Sequence, residues 1–301
     1  MIERYFKFLG EDQTRQLLKA NEKPIVPSIR VNTIKIETKT LKNRMENKGF
    51  KFAIIDWIPY GFKVKYAPFN LGSTHEYLQG YYYLQSIAPM LPSLILNPIP
   101  GDIVIDMCAA PGGKATHLAQ IMNNKGNLIL IERNLKRIAA LETNLLRMGI
   151  TNSTIINDDA ANLHKINIKA DKILLDAPCT GEGLIRQDPT RKRSKQLKDI
   201  NKMSNIQRKL LESGLNSLNP GGTLLYSTCS IAPEENEIVV NEVLNSFPDY
   251  RICELPHRYG DNGLTEVYGK SLRTDLKFSQ RLYPHIHDTI GFYLCLIKKF
   301  K

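Results

Sequence analysis

Six residues of this chain have types and positions that suit covalent chemistry, because each comes at or just after the end of an apolar run typical of a β-strand. Two are cysteines and four are acids: Cys179, Cys229, Asp106, Glu132, Asp159 and Asp176. In a parallel sheet the carboxyl ends of the strands share one edge, and neighbouring strands lie about 4.8 Å apart. We therefore expect the two thiols and the acids to face one crevice.

A thiol pair beside a carboxyl group suits one demanding reaction, substitution at carbon 5 of a cytosine. That carbon is a poor nucleophile until a thiolate adds to carbon 6, and an acid near N3 favours the negative charge that develops. The proton on carbon 5 must later leave and the enzyme–base bond must break, which requires a second thiol or base. The alternative is that these cysteines are small apolar residues of the core, as buried cysteines usually are.

Residues 103–117, with the sequence IVIDMCAAPGGKATH, predict a strand ending at Asp106, a turn of small residues and a helix over residues 114–122. Glycines in the turn let a ligand approach the backbone, and the helix start offers N–H groups. A Walker phosphate loop would need Gly at position 108 and Ser or Thr at 115, and a dinucleotide fingerprint would need glycines at 109 and 110. The turn therefore favours S-adenosylmethionine, a zwitterion without phosphate. An ordinary strand-to-helix turn is the alternative.

Two acids beyond this turn are candidates for binding the rest of the donor. Glu132 ends the next predicted strand, where a carboxylate accepts hydrogen bonds from both ribose hydroxyls; a surface acid that opens a helix is the alternative. Arg137, one turn into that helix, is placed to steady Glu132 or is simply solvated. Asp159 ends the third strand, where it would hold the adenine amino group. Asp158 is its competitor, and Asp159 is preferred because Ala160 follows it.

From Gly101 onward, predicted strands and helices alternate, which indicates an α/β fold with a Rossmann-like, doubly wound and mostly parallel sheet. We divide the chain into a small basic α+β module over residues 1–70, a helical connector over 71–100 and a catalytic domain over 101–301. Residues 1–100 carry 14 Lys or Arg against 8 Asp or Glu. The module is therefore either an RNA-positioning element or a packing subdomain.

The composition favours a polyanionic partner, since the net charge is +11 and the hydrophobic content of 42% is that of a globular protein. Residues 186–209 carry nine Lys or Arg against Asp188 and Asp199, next to the Cys179 loop, which suits RNA phosphates; a solvated helix face is the alternative. The five cysteines include no C-x-x-C pair, so we expect reduced thiols and no metal. The charged N-terminus and the short, proline-broken apolar stretches predict a cytoplasmic, monomeric protein without membrane contact.

Four segments, DMCAAPGGKATH, DAPCTGEG, STCS and RLYPHIHDTIGFY, resemble the signature motifs of the Sun-type RNA (cytosine-5) methyltransferases, and PSIRVNT resembles the N-terminal part of that family. The resemblance covers most of the chain and is strongest to an archaeal-type tRNA (cytosine-5) methyltransferase. It implies a class I methyltransferase fold, Cys229 as the nucleophile and Cys179 as the helper in proton removal and product release. Asp176 would contact the base and the methionine end of the donor. The donor loop would consist of Cys108, Ala109, Ala110, Pro111, Gly112, Gly113 and Lys114, and Lys114 would also touch the substrate side.

Two other interpretations remain open from the sequence. DNA cytosine-5 methyltransferases use a cysteine in a Pro-Cys pair, and Pro178-Cys179 would take that part, although the STCS and PHIHDTIGFY segments favour the RNA family. The second interpretation is an RNA-binding protein that has this fold but no catalytic activity, although binding to RNA requires neither thiol. Among RNA substrates, the resemblance and the compactness of the chain favour tRNA over ribosomal RNA.

Overall fold

A computed structural model describes residues 2–300, apart from the side chains of residues 164 and 166. By internal contacts the chain forms two units. The first contains the residues up to Ile25 and those from Ala160 onward, and the second is Val26–Asp159. The N-terminal segment therefore belongs to the same unit as the C-terminal half, which the sequence-based division into 1–70, 71–100 and 101–301 does not anticipate.

The chain begins with two helices, α1 (Ile2–Leu9) and α2 (Glu11–Ala20). The sequence predicts one helix here, and that prediction is wrong at Gly10. This residue has φ of 79°, in the left-handed region that favours glycine, so the helical path breaks. Tyr5 of α1 and Leu17 of α2 are buried and belong to an apolar cluster of the first unit that includes Tyr283.

The second unit begins with an antiparallel sheet of four strands in the order β2-β3-β1-β4. Its elements are β1 (Ser28–Val31), α3 (Thr38–Glu46), β2 (Lys51–Ile55), β3 (Ile58–Tyr66), α4 (His75–Leu78), β4 (Tyr82–Leu84) and α5 (Ile87–Leu96). Leu41 and Met45 of α3 are buried in an apolar cluster with Ile29, Phe62 and Tyr82. The prediction of a helical connector, with breaks near its prolines, is wrong at β4, because this short strand pairs with β1 and completes the sheet.

The rest of the second unit alternates strands and helices: β5 (Ile103–Asp106), α6 (Gly113–Ile121), β6 (Asn127–Ile131), α7 (Leu135–Met148) and β7 (Ser153–Ile156). The strands β5, β6 and β7 pair in parallel. Helix α7 begins where Asn134 Oδ1 accepts the backbone N–H of Lys136 and ends at Gly149, whose φ is 72°. The predicted order of strands and helices is confirmed here.

The first unit continues after residue 160 with five helices and eight strands among the described residues. They are α8 (Leu163–Ile166), β8 (Ala170–Asp176), α9 (Arg191–Ser194), α10 (Leu197–Asn216), β9 (Leu218–Thr228), α11 (Glu237–Asn245), β10 (Tyr250–Cys253), β11 (Asp261–Asn262), β12 (Glu266–Val267), β13 (Lys270–Ser271), β14 (Gln280–Leu282), α12 (Pro284–His287) and β15 (Phe292–Lys299). Short 3₁₀ turns lie at Leu71–Ser73, Ala160–Asn162, Glu182–Leu184, Pro233–Glu235 and Thr274–Phe278.

Strands β8 and β9 pair in parallel, and β15 runs antiparallel along the other edge of β9. Strand β14 pairs with β15, β11 with β14, and β10 also pairs with β15. The strand residues Ile173, Leu174, Leu224 and Leu225 are buried completely, as expected for parallel strands covered on both faces. These pairings confirm the predicted α/β class with a mostly parallel central sheet and a separate N-terminal module. Across residues 2–300, no helix is both long enough and apolar enough to span a bilayer.

One buried ion cluster ties α3 to α4 in the N-terminal module. The carboxylate of Glu76 is fully buried and accepts hydrogen bonds from Arg44 Nε at 2.5 Å and Lys48 Nζ at 2.6 Å, and both of these cations are partly exposed. Burial opposes ionisation of this carboxyl, but the hydrogen bonds from Lys48 and Arg44 outweigh it and lower the pKa of Glu76.

We expect Glu76→Gln to reduce the free energy of unfolding at pH 7 by about 1–2 kcal/mol, because two charged hydrogen bonds weaken. Since the folded-state pKa is lowered, the stabilisation is present above the unfolded value, about 4.3, and is lost as the pH falls through the folded pKa. Urea unfolding of both proteins should therefore show a difference that shrinks below about pH 4. The control Glu46→Gln removes an exposed pair with Lys42 and should cost about 0.5 kcal/mol or less. A difference independent of pH would contradict the assignment.

Candidate functional site

The structure brings the two predicted cysteines of the first unit together. Strand β8 ends at Asp176 and β9 at Thr228, and Asp176 lies opposite Ser227 in the parallel register. The loops that leave these ends therefore start side by side, and Cys179 Sγ lies 3.0 Å from Cys229 Sγ. Both thiols are partly buried. We call these two residues the cysteine pair.

The two thiols of the cysteine pair differ in their electrostatic environment. The hydrogen bond with Cys229 and burial raise the pKa of Cys179 well above its usual value, and the carboxylates of Glu235 and Asp176 add to the shift. Cys179 therefore keeps its proton near neutral pH, and either sulfur can donate the S–H···S contact. A thiol with a raised pKa is a poor nucleophile, because the thiolate is the reacting form.

Asp176 is the acid that accompanies the cysteine pair. Its side chain is partly buried at the end of β8, and Oδ1 accepts a hydrogen bond from Ser227 Oγ at 2.8 Å. This contact joins the ends of β8 and β9 and orients the carboxyl group. The sequence-based expectation that an acid and two thiols meet at the ends of two strands thus corresponds to a real cluster in the first unit.

Backbone contacts around the cysteine pair leave no space for side chains. Gly183 N donates to Cys229 O at 3.0 Å, and Gly291 N donates to Gly183 O at 2.9 Å. A Cβ atom on Gly183 would lie 2.2 Å from Gly291 O and 2.7 Å from Cys229 O. This close approach explains why glycines occur in both the DAPCTGEG and the TIGFY segments, a role that the motif pattern alone does not reveal.

The tail segment RLYPHIHDTIGFY also contributes a buried cation that sequence reasoning missed. Arg281 on β14 pairs with Glu237 at 3.0 Å, both side chains being almost fully buried, and Arg281 Nη2 donates to the carbonyl of Ile231. Ile231 is two residues beyond Cys229, so the pair supports the loop that carries this thiol. The sequence does contain a signal for this buried cation, because the arginine stands within the apolar pattern of a strand.

The two histidines of the same segment make hydrogen bonds within the first unit. His287 Nδ1 accepts the N–H of Tyr283 at 2.9 Å, and His285 Nε2 lies 2.7 Å from Gln13 Oε1. Within residues 2–300, no group of three or more His, Cys, Asp or Glu side chains is arranged to hold a metal ion.

The predicted donor-binding residues other than Asp176 lie in the second unit. The donor loop, Cys108–Lys114, connects β5 to α6, and Asp106 Oδ1 accepts the N–H of Cys108 at 3.2 Å. Ala109 N donates to Ile131 O at 3.0 Å, which fixes the loop against the end of β6. Gly112 has φ of 105°, a conformation that favours glycine, and Gly113 begins the helix. The loop is thus held at its start by an acid and an adjoining strand.

Glu132 and Arg137 form an ion pair beside the donor loop. The Glu132 carboxylate is 3% exposed; Oε1 accepts the N–H of Asn134 at 2.9 Å and Oε2 lies 3.1 Å from Arg137 Nη1. Arg137 Nη2 also donates to the carbonyl of Ala110. Arg137 therefore links Glu132 to the loop, as expected from its place in the sequence. Each carboxylate oxygen keeps a lone pair for a further donor.

Asp158 and Asp159 differ in how their carboxylates are used. Asp158 Oδ1 accepts the backbone N–H of Asp159 at 2.6 Å and so points back to the chain. The Asp159 carboxylate is 42% exposed and lies 3.6 Å from Arg133 Nη1. This geometry favours Asp159 over Asp158 as the residue available to a ligand.

Sequence reasoning also missed Arg30, a fully buried cation behind the donor loop. Its Nη1 donates to Gly113 O at 2.6 Å and Gln85 Oε1 at 2.8 Å, and its Nη2 donates to Thr116 Oγ1 at 2.7 Å. Burial lowers the pKa of Arg30 to about 9. Arg30 thus fixes β1 to the first turn of α6, and its position in the PSIRVNT segment was the signal.

Several cations of residues 186–209 bind other parts of the first unit. Arg186 pairs with Asp288 at 2.9 Å, Lys192 with Glu22 at 2.5 Å, and Arg191 Nη1 donates to Thr180 O at 3.0 Å. Their charge is therefore used in protein contacts, which corrects the expectation that the whole segment faces phosphates. Four further cations are exposed: Arg193, Lys198, Lys202 and Lys209.

We expect Cys229→Ala to lower the pKa of Cys179 towards that of an ordinary thiol, about 8.5, because the hydrogen bond between the two thiols is the largest cause of its shift. Iodoacetamide labelling of Cys179, followed by mass spectrometry across the alkaline range, should show a lower midpoint in the variant. Cys253, labelled in the same samples, is the internal control and should not change. An unchanged midpoint for Cys179 would mean that the thiols do not interact in solution.

Comparison with known proteins agrees with this geometry. Residues 93–298 match the family described as 16S rRNA methyltransferase RsmB/F, and residues 1–87 match the N-terminal domain of 16S rRNA methyltransferase RsmF. The 26S rRNA (cytosine-C(5))-methyltransferase nsun-1 of Caenorhabditis elegans is 39% identical over 293 residues, which are 94% of this chain and 44% of that protein. The tRNA (cytosine(49)-C(5))-methyltransferase of Pyrococcus abyssi is 33% identical over 302 residues, covering 99% of this chain and 95% of that protein.

A solved structure shows the same fold. The crystal structure of a methyltransferase homologue from Pyrococcus horikoshii is 40% identical and superposes with a TM-score of 0.90, covering 99% of this chain and 93% of that one. The chain spans half or less of the length of its matched rRNA relatives from animals and fission yeast. The predicted resemblance to the Sun-type proteins and the class I methyltransferase fold are confirmed, and the chain belongs to the RsmB/F family of methyltransferases.

Proposed function

We propose that the protein transfers a methyl group from S-adenosylmethionine to carbon 5 of cytidine in RNA, with Cys229 as a covalent nucleophile. The observation that carries this proposal is the cysteine pair, with its Sγ–Sγ distance of 3.0 Å and Asp176 at the end of the adjoining strand. A nucleophile, a second thiol and a carboxyl group are the groups that cytosine-5 methylation requires. Membership of the RsmB/F family supports the same reaction.

The donor-binding residues fit S-adenosylmethionine. The buried Glu132 carboxylate suits the ribose hydroxyls. Its contacts with the N–H of Asn134 and with Arg137 leave lone pairs on its oxygens that can accept further hydrogen bonds. Asp159 would hold the adenine amino group, and the donor loop would hold the methionine end. When bound, the donor supplies an electrophilic methyl group. Lys114 begins the first turn of α6 after the glycines and would touch the substrate side.

The cysteine pair accounts for the covalent steps. Cys229 Sγ, as a thiolate, forms a bond to carbon 6 of the cytosine, and Asp176 at N3 favours the charge that develops on the ring. Carbon 5 is then nucleophilic and takes the methyl group, and the S–CH3 bond of the donor breaks to leave S-adenosylhomocysteine. Once Cys229 is a thioether it carries no charge, so the interaction that raises the pKa of Cys179 is lost. Cys179 can then release its proton to solvent, take the proton from carbon 5, and allow the Cys229–carbon bond to break.

Among RNA substrates we propose tRNA. The tRNA methyltransferase of Pyrococcus abyssi matches this chain along 95% of its own length, whereas the rRNA relatives match along 36% to 59% of theirs. The exposed cations Arg193, Lys198, Lys202 and Lys209 would contact phosphates, which gives binding that weakens with salt. The N-terminal module is proposed to position the RNA. The five cysteines, all among the described residues, form no disulfide, which supports a cytoplasmic location.

We expect Glu132→Ala to weaken S-adenosylmethionine binding about tenfold or more, because the ribose hydroxyls lose their acceptor at a cost of roughly 1–3 kcal/mol. Isothermal calorimetry measures the change, and thermal unfolding checks that the variant is folded. The control is Glu142→Ala, which removes an exposed acid from α7 and should leave the affinity unchanged. Nicotinamide dinucleotides should not bind to either protein. Equal donor affinities in both variants would remove Glu132 from the site.

The roles of the two cysteines can be distinguished by the covalent protein–RNA products that their variants form. Cys229→Ala should abolish methyl transfer and attachment to RNA, because the nucleophile is gone. Cys179→Ala should still attack but should stall before release, so a protein–RNA adduct is expected to accumulate in denaturing gels. The matched control, Cys253→Ala, should behave as the wild type.

The same gel tests the other interpretations. An adduct from Cys229→Ala but not from Cys179→Ala would assign the nucleophile to the Pro-Cys segment, as in DNA methyltransferases. Assays with tRNA, ribosomal RNA and DNA in parallel identify the substrate by transfer of a labelled methyl group. If the wild type transfers no methyl group to any of them, the protein is a binding protein and the proposed function is wrong.

A further inference from the structure

One buried carboxylate contacts both loops of the cysteine pair. Glu235 ends the 3₁₀ turn Pro233–Glu235, beyond β9, and its side chain is inaccessible to solvent. Its Oε1 accepts the N–H of Thr180 at 2.8 Å, and its Oε2 accepts Thr180 Oγ1 and Ser230 Oγ, each at 2.5 Å. A buried charge is tolerated only where such donors replace water.

The donors to Glu235 are the immediate neighbours of the two thiols. Thr180 follows Cys179 in the loop after β8, and Ser230 follows Cys229 in the loop after β9. A further donor, Gln207 Nε2 on α10, lies 3.2 Å from Glu235 Oε1 and also donates to Pro178 O at 2.8 Å. One carboxylate therefore joins two loops that are separated by 50 residues along the chain.

We propose that Glu235 is a positioning residue for the reaction: it holds the Cys179 and Cys229 loops so that the two thiols face each other at reacting distance. It touches the neighbours of the cysteines and acts through them. This role rests on the proposed function of the cysteine pair. A displacement of about 1 Å at a reacting group costs on the order of 100-fold in rate, so a carboxylate that fixes both loops has a direct effect on turnover.

Besides Glu235, the backbone hydrogen bond from Gly183 N to Cys229 O also joins the two loops, whereas the contacts of Asn236 fix one loop alone. Asn236 Oδ1 accepts Thr228 Oγ1 at 2.6 Å, and Asn236 Nδ2 donates to Ser230 O at 3.0 Å. These bonds hold the end of β9 and the start of its loop. The Glu235 carboxylate adds the connection to Thr180, and the raised pKa of Cys179 is consistent with a nearby negative charge.

The experiment compares Glu235→Gln with Glu235→Ala. The glutamine oxygen can accept from the two N–H donors, and its NH₂ group can donate to the two hydroxyls, which rotate to accept it. Alanine removes every one of these bonds. We expect Glu235→Ala to lower kcat with RNA about 100-fold while the dissociation constant for S-adenosylmethionine stays unchanged. Glu235→Gln should restore kcat to within about tenfold of the wild type.

A second readout measures the thiol geometry without RNA. Diamide accepts the two hydrogens of a neighbouring thiol pair and leaves a disulfide, so its rate reports how often Cys179 and Cys229 meet. This rate should fall at least about tenfold in Glu235→Ala and recover in Glu235→Gln. Tyr250→Phe is the control for stability alone: it loses the buried bond from Tyr250 Oη to Leu215 O and should keep both rates.

Three results would overturn the proposal: wild-type kcat in Glu235→Ala, an unchanged diamide rate in that variant, or losses of the same size in Tyr250→Phe. If Glu235→Ala does not fold, Ser230→Ala removes one contact and should slow both rates by about tenfold; no change there would equally contradict it. If the wild type methylates no RNA, the proposed function fails, whereas the diamide rates still decide whether Glu235 positions the thiols.

Discussion

The parallel pairing of β8 with β9 is the constraint on which the candidate site depends. Because Asp176 lies opposite Ser227, the two strands end together and their loops leave from adjacent points. A shift of the register by one residue would turn every side chain to the opposite face of the sheet and would separate the thiols. The completely buried residues Leu174 and Leu225 make such a shift costly, since each would leave the core. Ordinary strand packing thus supplies the precision that the chemistry needs.

Buried charges add hydrogen bonds beyond those of the strands, and each buried ion is bound by different partners. Glu235 is bound by hydroxyl and N–H donors, Arg281 by Glu237 and a carbonyl, and Arg30 by carbonyl, amide and hydroxyl oxygens. A buried polar network is stabilising only when all its members have partners, and then it fixes one geometry. The ions that fix this geometry contact loops that leave the carboxyl ends of strands, where regular hydrogen bonding stops.

The sequence predicts the elements of this fold better than the contacts between them. Strands β5 and β8 have the bounds that their apolar runs and terminal acids indicate, and α7 ends at the glycine expected to stop it. Local periodicity carries that information. The break at Gly10 and the strand β4 were missed, because a glycine within a helical pattern is often tolerated and β4 exists only by pairing with β1. Arg30 reaches Gly113 across 83 residues, and no local pattern encodes such a contact.

Two cysteines in contact can act as nucleophile and as base in one reaction only if they differ in protonation. This difference must also reverse during the reaction. In the proposed mechanism their sulfur atoms, 3.0 Å apart, satisfy this condition: the raised pKa of Cys179 keeps its proton in place at first, and formation of the bond between Cys229 and the cytosine removes the main interaction that raises this pKa. The contact therefore indicates the order in which the two thiols act as well as their positions. A thiolate on Cys179 from the start would repel the one on Cys229 and raise the cost of attack. The asymmetry between two chemically identical side chains arises from their surroundings, which are set by Glu235, Asp176 and the ends of two strands.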